Sequence, residues 1–248
     1  MILSHIYAIH IDFPKMMRYN KSMKEGIQKG EKTMYDIALF DLDGTLIDSG
    51  LGITNSATYA LAKYGIHIDN RETLRSFIGP PLLDSFMHTY GFSEEKAREA
   101  IEVYREYYGE KGVFEITVYD GIEALLKRLR EAGKTVILAT SKYEYYALQI
   151  LENLGFSKYF DFAAGSCKDG SRGTKAEIIS YILEEQRITD KSRVVMIGDR
   201  KHDIVGACKV CIDSIGVLYG FGDRDELESH GATHIAANTD EIYEIIMK

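Results

Sequence analysis

Two regimes of apolar and polar positions divide this chain. From Asp120 onward, short all-apolar runs alternate with stretches of helical period. Ile122, Leu125, Leu126 and Leu129 predict a helix that Gly133 stops, with Asp120-Gly121-Ile122-Glu123 as its capping box. Val136-Ile137-Leu138-Ala139 predicts a buried strand ending at Thr140-Ser141-Lys142. A second helix is expected from about Tyr143 to Leu154, stopped by Gly155, and a short strand near Phe160–Ala163. A third helix follows Thr174, and the strand Val194-Val195-Met196-Ile197 ends at Gly198-Asp199. Further short strands are expected near Ser214–Val217 and Thr233–Ala236, with Asn238-Thr239-Asp240-Glu241 capping a closing helix.

Upstream, Met34 opens the first convincing strand, whose apolar run Ile37-Ala38-Leu39-Phe40 leads into Asp41-Leu42-Asp43-Gly44-Thr45-Leu46. Between about Leu51 and Val118 only helical patterns recur, as in Ile53, Ala57, Ala60 and Leu61, or Ala97, Ile101 and Tyr104. Asp69-Asn70-Arg71-Glu72 and Ser93-Glu94-Glu95 are helix starts, and no strand signal is convincing. Strands that are apolar throughout and alternate with helices imply a parallel sheet covered on both faces. The expected fold is therefore α/β: a Rossmann-like, doubly wound parallel sheet with an inserted all-helical domain. Residues 34–50 and 119–248 form the core and residues 51–118 the helical insert, with hinges near Ser49–Gly52 and Ile116–Tyr119. Residues 1–33 are a basic, Met-rich extension with no expected catalytic part.

Composition narrows the function classes. The chain has 248 residues, 45% of them hydrophobic and 27% charged, which is ordinary for a soluble globular protein. A net charge of −8 argues against nucleic acid or an anionic membrane as partner. No apolar run approaches the ~20 residues that span a bilayer, and residues 1–11 make a poor signal peptide because Asp12 and Pro14 interrupt them. Three cysteines do not make a disulfide framework, so a reducing cytoplasm is expected. Cys208-Lys209-Val210-Cys211 is a CxxC without a second ligand pair, placed near a helix end, and is expected to be incidental packing.

The candidate chemistry lies at strand ends. Asp41 and Asp43, spaced i, i+2 after a buried strand, repel each other unless a cation neutralises them. A hard, oxygen-seeking ion such as Mg²⁺ suits that task. Asp41 is the candidate nucleophile toward a phosphate monoester, and Asp43 the proton carrier for the leaving alcohol and then the attacking water. Thr140 and Ser141, with Lys142 and the Gly44 turn, are placed to bind phosphoryl oxygens. Lys175 brings a positive charge at a helix start. Asp199 and Asp203, at i, i+4, are expected to hold the metal together with Asp41 and Asp43. His202 between them is expected at the surface.

These segments, Asp41 through Ser49, Thr140-Ser141-Lys142, Lys175 and Gly198-Asp199-Arg200-Lys201-His202-Asp203, resemble the four motifs of the haloacid dehalogenase-like superfamily. The resemblance runs from about Tyr35 to the C-terminus. It implies that the helical insert is a cap over the site, and that Asp43 directs the chemistry to phosphate rather than carbon–halogen bonds. Ile78-Gly79-Pro80-Pro81-Leu82 resembles the substrate-facing cap loop of phosphoglycolate phosphatase-like members, which makes Gly79 and Pro80 candidate substrate contacts. Gly165 through Arg172 is similar to a branch labelled phosphoglycolate phosphatase or 5′-nucleotidase. Cys211 stands where relatives tend to have glycine. The implied activity is Mg²⁺-dependent hydrolysis of a small phosphorylated metabolite through an aspartyl-phosphate, by a monomer or weak homodimer. A 5′-nucleotidase, a β-phosphoglucomutase-like mutase and, from another class, a phospho-receiver are the alternatives.

Overall fold

In a computed structural model, which describes residues 34–169 and 171–248, the strands are β1 (Ile37–Phe40), β2 (Ile47–Asp48), β3 (Thr117–Val118), β4 (Thr135–Tyr143), β5 (Phe162–Ser166), β6 (Val194–Gly198), β7 (Asp213–Val217) and β8 (His234–Ala236). Among the described residues the α-helices of six residues or more are α1 (Gly50–Lys63), α2 (Glu94–Glu110), α3 (Ile122–Glu131), α4 (Glu144–Asn153), α5 (Lys175–Glu185), α6 (Lys201–Lys209), α7 (Arg224–Ser229) and α8 (Thr239–Met247). Expectations about residues 1–33 lie outside the described residues.

Six strands make one parallel sheet in the order β5-β4-β1-β6-β7-β8. β1 sits inside it because Ala38, Leu39 and Phe40 have no exposed surface and need neighbours on both edges and both faces. Phe40 pairs with Leu138 of β4 and with Ile197 of β6, so β1 and β6 end within one residue of each other while β4 runs on to Tyr143. Strand order reverses at β1, and that switch point is where parallel sheets present a ligand crevice. Leu39, Ile137 and Met196 pack on one face against Ile178, Ile179 and Ile182 of α5. Among the described residues no helix is long and apolar enough to cross a membrane.

Several boundaries differ from the sequence reading. Met34 is exposed and the first strand begins at Ile37, although Asp36 already shares backbone hydrogen bonds with Arg193 and Thr135. The strand expected near Phe160–Ala163 runs Phe162–Ser166, since Phe160 is spent as a fully buried core residue before pairing starts. The capping box at Asp120 and Glu123 does not form: Gly121 is the N-cap at φ +80°, with no side-chain bond. A Cβ on Gly121 would come 2.3 Å from the Thr239 hydroxyl, so contact with the start of α8 decides this cap. By contrast, the Thr174–Glu177 capping box of α5 and the Asn238 cap of α8 are both present.

Residues 51–118 hold helices joined by short loops and end in a two-residue strand. There β3 pairs antiparallel with β2, Ile47 opposite Val118 and Asp48 opposite Thr117, a ribbon that two-residue strands are too short to announce in sequence. Asn70 and Ser93 cap their helices as expected. The segment encloses its own core of Phe77, Phe86 and Phe92, with ring centroids 4.9 Å and 5.8 Å apart.

Candidate active site

Asp41 continues β1 by one backbone bond, its N–H donating to the carbonyl of Ile197 at 2.9 Å. The chain then turns sharply at Gly44, where φ is +80° and a Cβ would lie 2.1 Å from the Asp199 Oδ2. Only glycine satisfies both the left-handed backbone and that close approach. Asp199, fully buried at the end of β6, accepts from the Phe221 N–H at 2.8 Å. Gly220 closes over it from the β7–α7 loop, since a Cβ there would meet the Asp199 Cβ at 2.4 Å. Asp203 fits against Gly198, where a Cβ would come 2.2 Å from its Cγ.

One oxygen from each of Asp41, Asp199 and Asp203 lies within 4.8 Å of the others, although Asp41 is far along the chain from the other two. Lys175 Nζ bridges Asp41 Oδ1 and Asp203 Oδ1, 2.8 Å from each, and donates to the Ala139 carbonyl at 2.8 Å. Its side chain is 2% exposed, so this ammonium is committed to the cluster rather than to solvent. Gly206 allows it, because a Cβ there would strike the Lys175 Cβ at 2.7 Å.

Three carboxylates and one ammonium leave the cluster short of positive charge. Burial pushes the Asp41 carboxyl up to about 6; Lys175 opposes the shift, while Asp203 and Asp43 add to it. Burial, followed by repulsion from Asp203 and Asp41, drives Asp199 well above the usual carboxylate range. Burial alone would lower Lys175, but Asp203 and Asp41 more than offset it and its affinity for a proton rises. Such an oxygen-only, electron-rich set fits a hard divalent cation, whose charge would remove the repulsion these groups suffer.

Asp43 stands apart from this cluster. Both its oxygens lie 2.8 Å from Lys142 Nζ, which also sits 4.9 Å from the centre of the Tyr108 ring. Thr140 is buried, its hydroxyl accepting from the Lys142 N–H at 3.2 Å. Ser141 and Lys142, with Asp41, Asp43, Gly79 and Pro80, line a cavity of about 840 Å³ at the sheet's carboxyl edge. His202 is half-buried rather than at the surface, and burial lowers its proton affinity.

Sequence reasoning missed the opposite wall. Tyr104 and Tyr108 of α2 stack at 5.5 Å, and Tyr146 of α4 meets Tyr108 edge-on at 5.1 Å, all three facing the cavity. The tyrosines at 143, 145 and 146 were a visible signal, but their partners on α2 are about 40 residues away, beyond the reach of any local pattern. The Gly220-Phe221-Gly222 loop was also missed; its close glycine spacing was the only hint.

A family model for haloacid dehalogenase-like hydrolase matches residues 38–217, and the chain belongs to that family. It is an enzyme of the phosphoric monoester hydrolase class within it. A 5′-nucleotidase of Pseudomonas aeruginosa is 45% identical over 82% of this chain and 92% of its own length. The tyrosine-protein kinase PtkA of Mycobacterium tuberculosis is 37% identical over 85% of this chain and 72% of its own. A phosphoglycolate phosphatase of Vibrio parahaemolyticus is 27% identical over 86% and 98%. The crystal structure of a predicted phosphatase from Clostridium acetobutylicum superposes with a TM-score of 0.82 at 46% identity, covering 85% of this chain and 97% of the other.

Proposed function

We propose that the protein is a Mg²⁺-dependent phosphatase of small phosphomonoesters that works through an aspartyl-phosphate on Asp41. The observation that carries this reading is the meeting of Asp41, Asp199 and Asp203 around Lys175, with Asp41 also lining the cavity. Asp199 and Asp203, with Asp41, are the residues that would hold the ion; when bound it supplies positive charge to a phosphoryl group and to the carboxylates around it.

In this reading the Asp41 carboxylate attacks phosphorus, and the leaving alcohol takes a proton from Asp43. Asp43 then takes a proton from the water that attacks the aspartyl-phosphate, releasing inorganic phosphate and restoring Asp41. Lys175 holds the Asp41 oxygen it contacts, which leaves the other oxygen to react. Thr140, Ser141, Lys142 and the Gly44 turn bind phosphoryl oxygens. Residues 51–118 act as a cap over residues 34–50 and 119–248, with Gly79 and Pro80 contacting the rest of the substrate.

Phosphoglycolate fills little of a cavity of about 840 Å³. The cavity and its tyrosines therefore favour a second reading, in which the leaving group carries a planar ring, as in the reaction named for the Pseudomonas relative. Phosphate release from a panel including phosphoglycolate and nucleoside monophosphates, with Mg²⁺ and with EDTA, tests both readings. Release that needs Mg²⁺ and falls on the order of 10³-fold or more in Asp41→Asn is expected. Unchanged turnover in that variant removes Asp41 as nucleophile.

A further inference from the structure

We infer that Arg200 is a positioning residue that fastens the loop carrying Gly79 and Pro80 to the carboxylate cluster. Its backbone N–H donates to Asp203 Oδ2 at 3.2 Å, so its main chain is anchored inside the cluster. Its side chain leaves the cluster: Nε donates to Glu226 Oε1 at 2.9 Å and Nη1 donates to the Ile78 carbonyl at 2.9 Å. Glu226 is itself fixed by the Lys201 N–H at 2.8 Å. The guanidinium is thus held between α7 and the helical segment, 20% exposed and charge-balanced by Glu226.

Two glycines make room for this arrangement. At Gly79, φ is +100° and a Cβ would lie 3.4 Å from Arg200 Nη1. At Gly222 a Cβ would lie 2.1 Å from the Asp199 carbonyl oxygen and 3.2 Å from Arg200 Cδ. The arginine therefore lies where both loops close on the end of β6. Its planar fork reaches two acceptors in fixed directions, which a lysine ammonium on a flexible stem does not reproduce. Because Glu226 cancels its charge, Arg200 contributes geometry more than field. Ile78 and Gly79 follow the 3₁₀ helix Arg71–Phe77 directly, and Gly79 and Pro80 line the cavity. Arg200 thus sets how a leaving group that reaches this wall is held, and leaves a small acyl phosphate untouched.

The kinetic part of this inference rests on the phosphatase reading; the structural part does not. The test compares Arg200→Gln and Arg200→Lys with the parent protein in three measurements. These are amide hydrogen exchange over residues 78–83, read at 78, 79, 82 and 83 because Pro80 and Pro81 carry no N–H, kcat and KM for p-nitrophenyl phosphate against acetyl phosphate, and the rise in Tm on adding Mg²⁺. Losing one charge-assisted hydrogen bond should speed exchange over 78–83 by about tenfold or more, with β6 unchanged. KM for p-nitrophenyl phosphate should rise by about tenfold while kcat/KM for acetyl phosphate stays within about twofold, and lysine should restore only part of the difference. Unchanged exchange over 78–83 overturns the inference. So does an equal loss on both substrates, or a lost Mg²⁺ response, since each assigns Arg200 to the carboxylate cluster instead. If the parent protein releases phosphate from neither compound, the phosphatase reading fails and hydrogen exchange alone decides the role of Arg200.

Discussion

Asp41 and Asp199 hold their protons more tightly in the folded chain than in the unfolded one, and this gives stability a definite pH dependence. A carboxyl raised from 3.8 to about 6 favours the folded state below about pH 4, and that contribution is lost as pH rises through about 6. Asp199 acts in the same direction. In EDTA, Tm should therefore fall between about pH 4 and pH 6 on account of these groups. A divalent ion prefers the ionised forms, so the Tm rise produced by Mg²⁺ should be larger at pH 7.5 than at pH 5. An equal rise at both values would count against binding at these carboxylates. At the same scale, Gly44→Ala combines a φ of +80° with a Cβ 2.1 Å from Asp199. It should cost roughly 1–3 kcal/mol or more in a urea melt and abolish turnover, because the strain falls on the cluster itself.

Element ends carry the next level of specification. The capping box of Thr174 and Glu177 starts α5 one residue before Lys175, so it fixes where the bridging ammonium begins. Thr174→Ala should lower stability by about 1 kcal/mol in denaturant melts, with a larger fractional loss of kcat than an equal destabilisation at the Asn238 cap of α8. Cys211, just past the end of α6, has φ +59°, a backbone conformation that costs a non-glycine residue about 1–2 kcal/mol. Cys211→Gly should raise stability by up to about 1 kcal/mol, the added unfolded-chain entropy offsetting part of the relief. Cys208 and Cys211 are free and exposed rather than packed.

At the scale of the whole molecule, the cavity is lined both by residues between 53 and 108 and by residues between 140 and 174. If the tyrosine wall holds a planar leaving group, Tyr146→Ala should raise KM for a nucleoside monophosphate by about tenfold, the worth of one ring contact. KM for acetyl phosphate should change little. A rise shared by both substrates would place Tyr146 in packing alone.

Much of this was legible in the chain because it is written locally. Apolar runs mark β1, β4 and β6; glycines and caps mark where helices begin and stop; Asp41 and Asp199 directly follow β1 and β6, Lys175 opens α5, and Thr140 follows the apolar run within β4. Local patterns carry no distances between segments, so only the tertiary structure decided which charges meet. It paired Asp43 with Lys142 rather than with the other carboxylates, and placed Lys175 between Asp41 and Asp203. It replaced an aspartate cap with Gly121 where α8 comes close, and joined tyrosines of α2 and α4 into one wall. Those outcomes depend on contacts between residues far apart in the chain, where packing and desolvation override any single segment's preference.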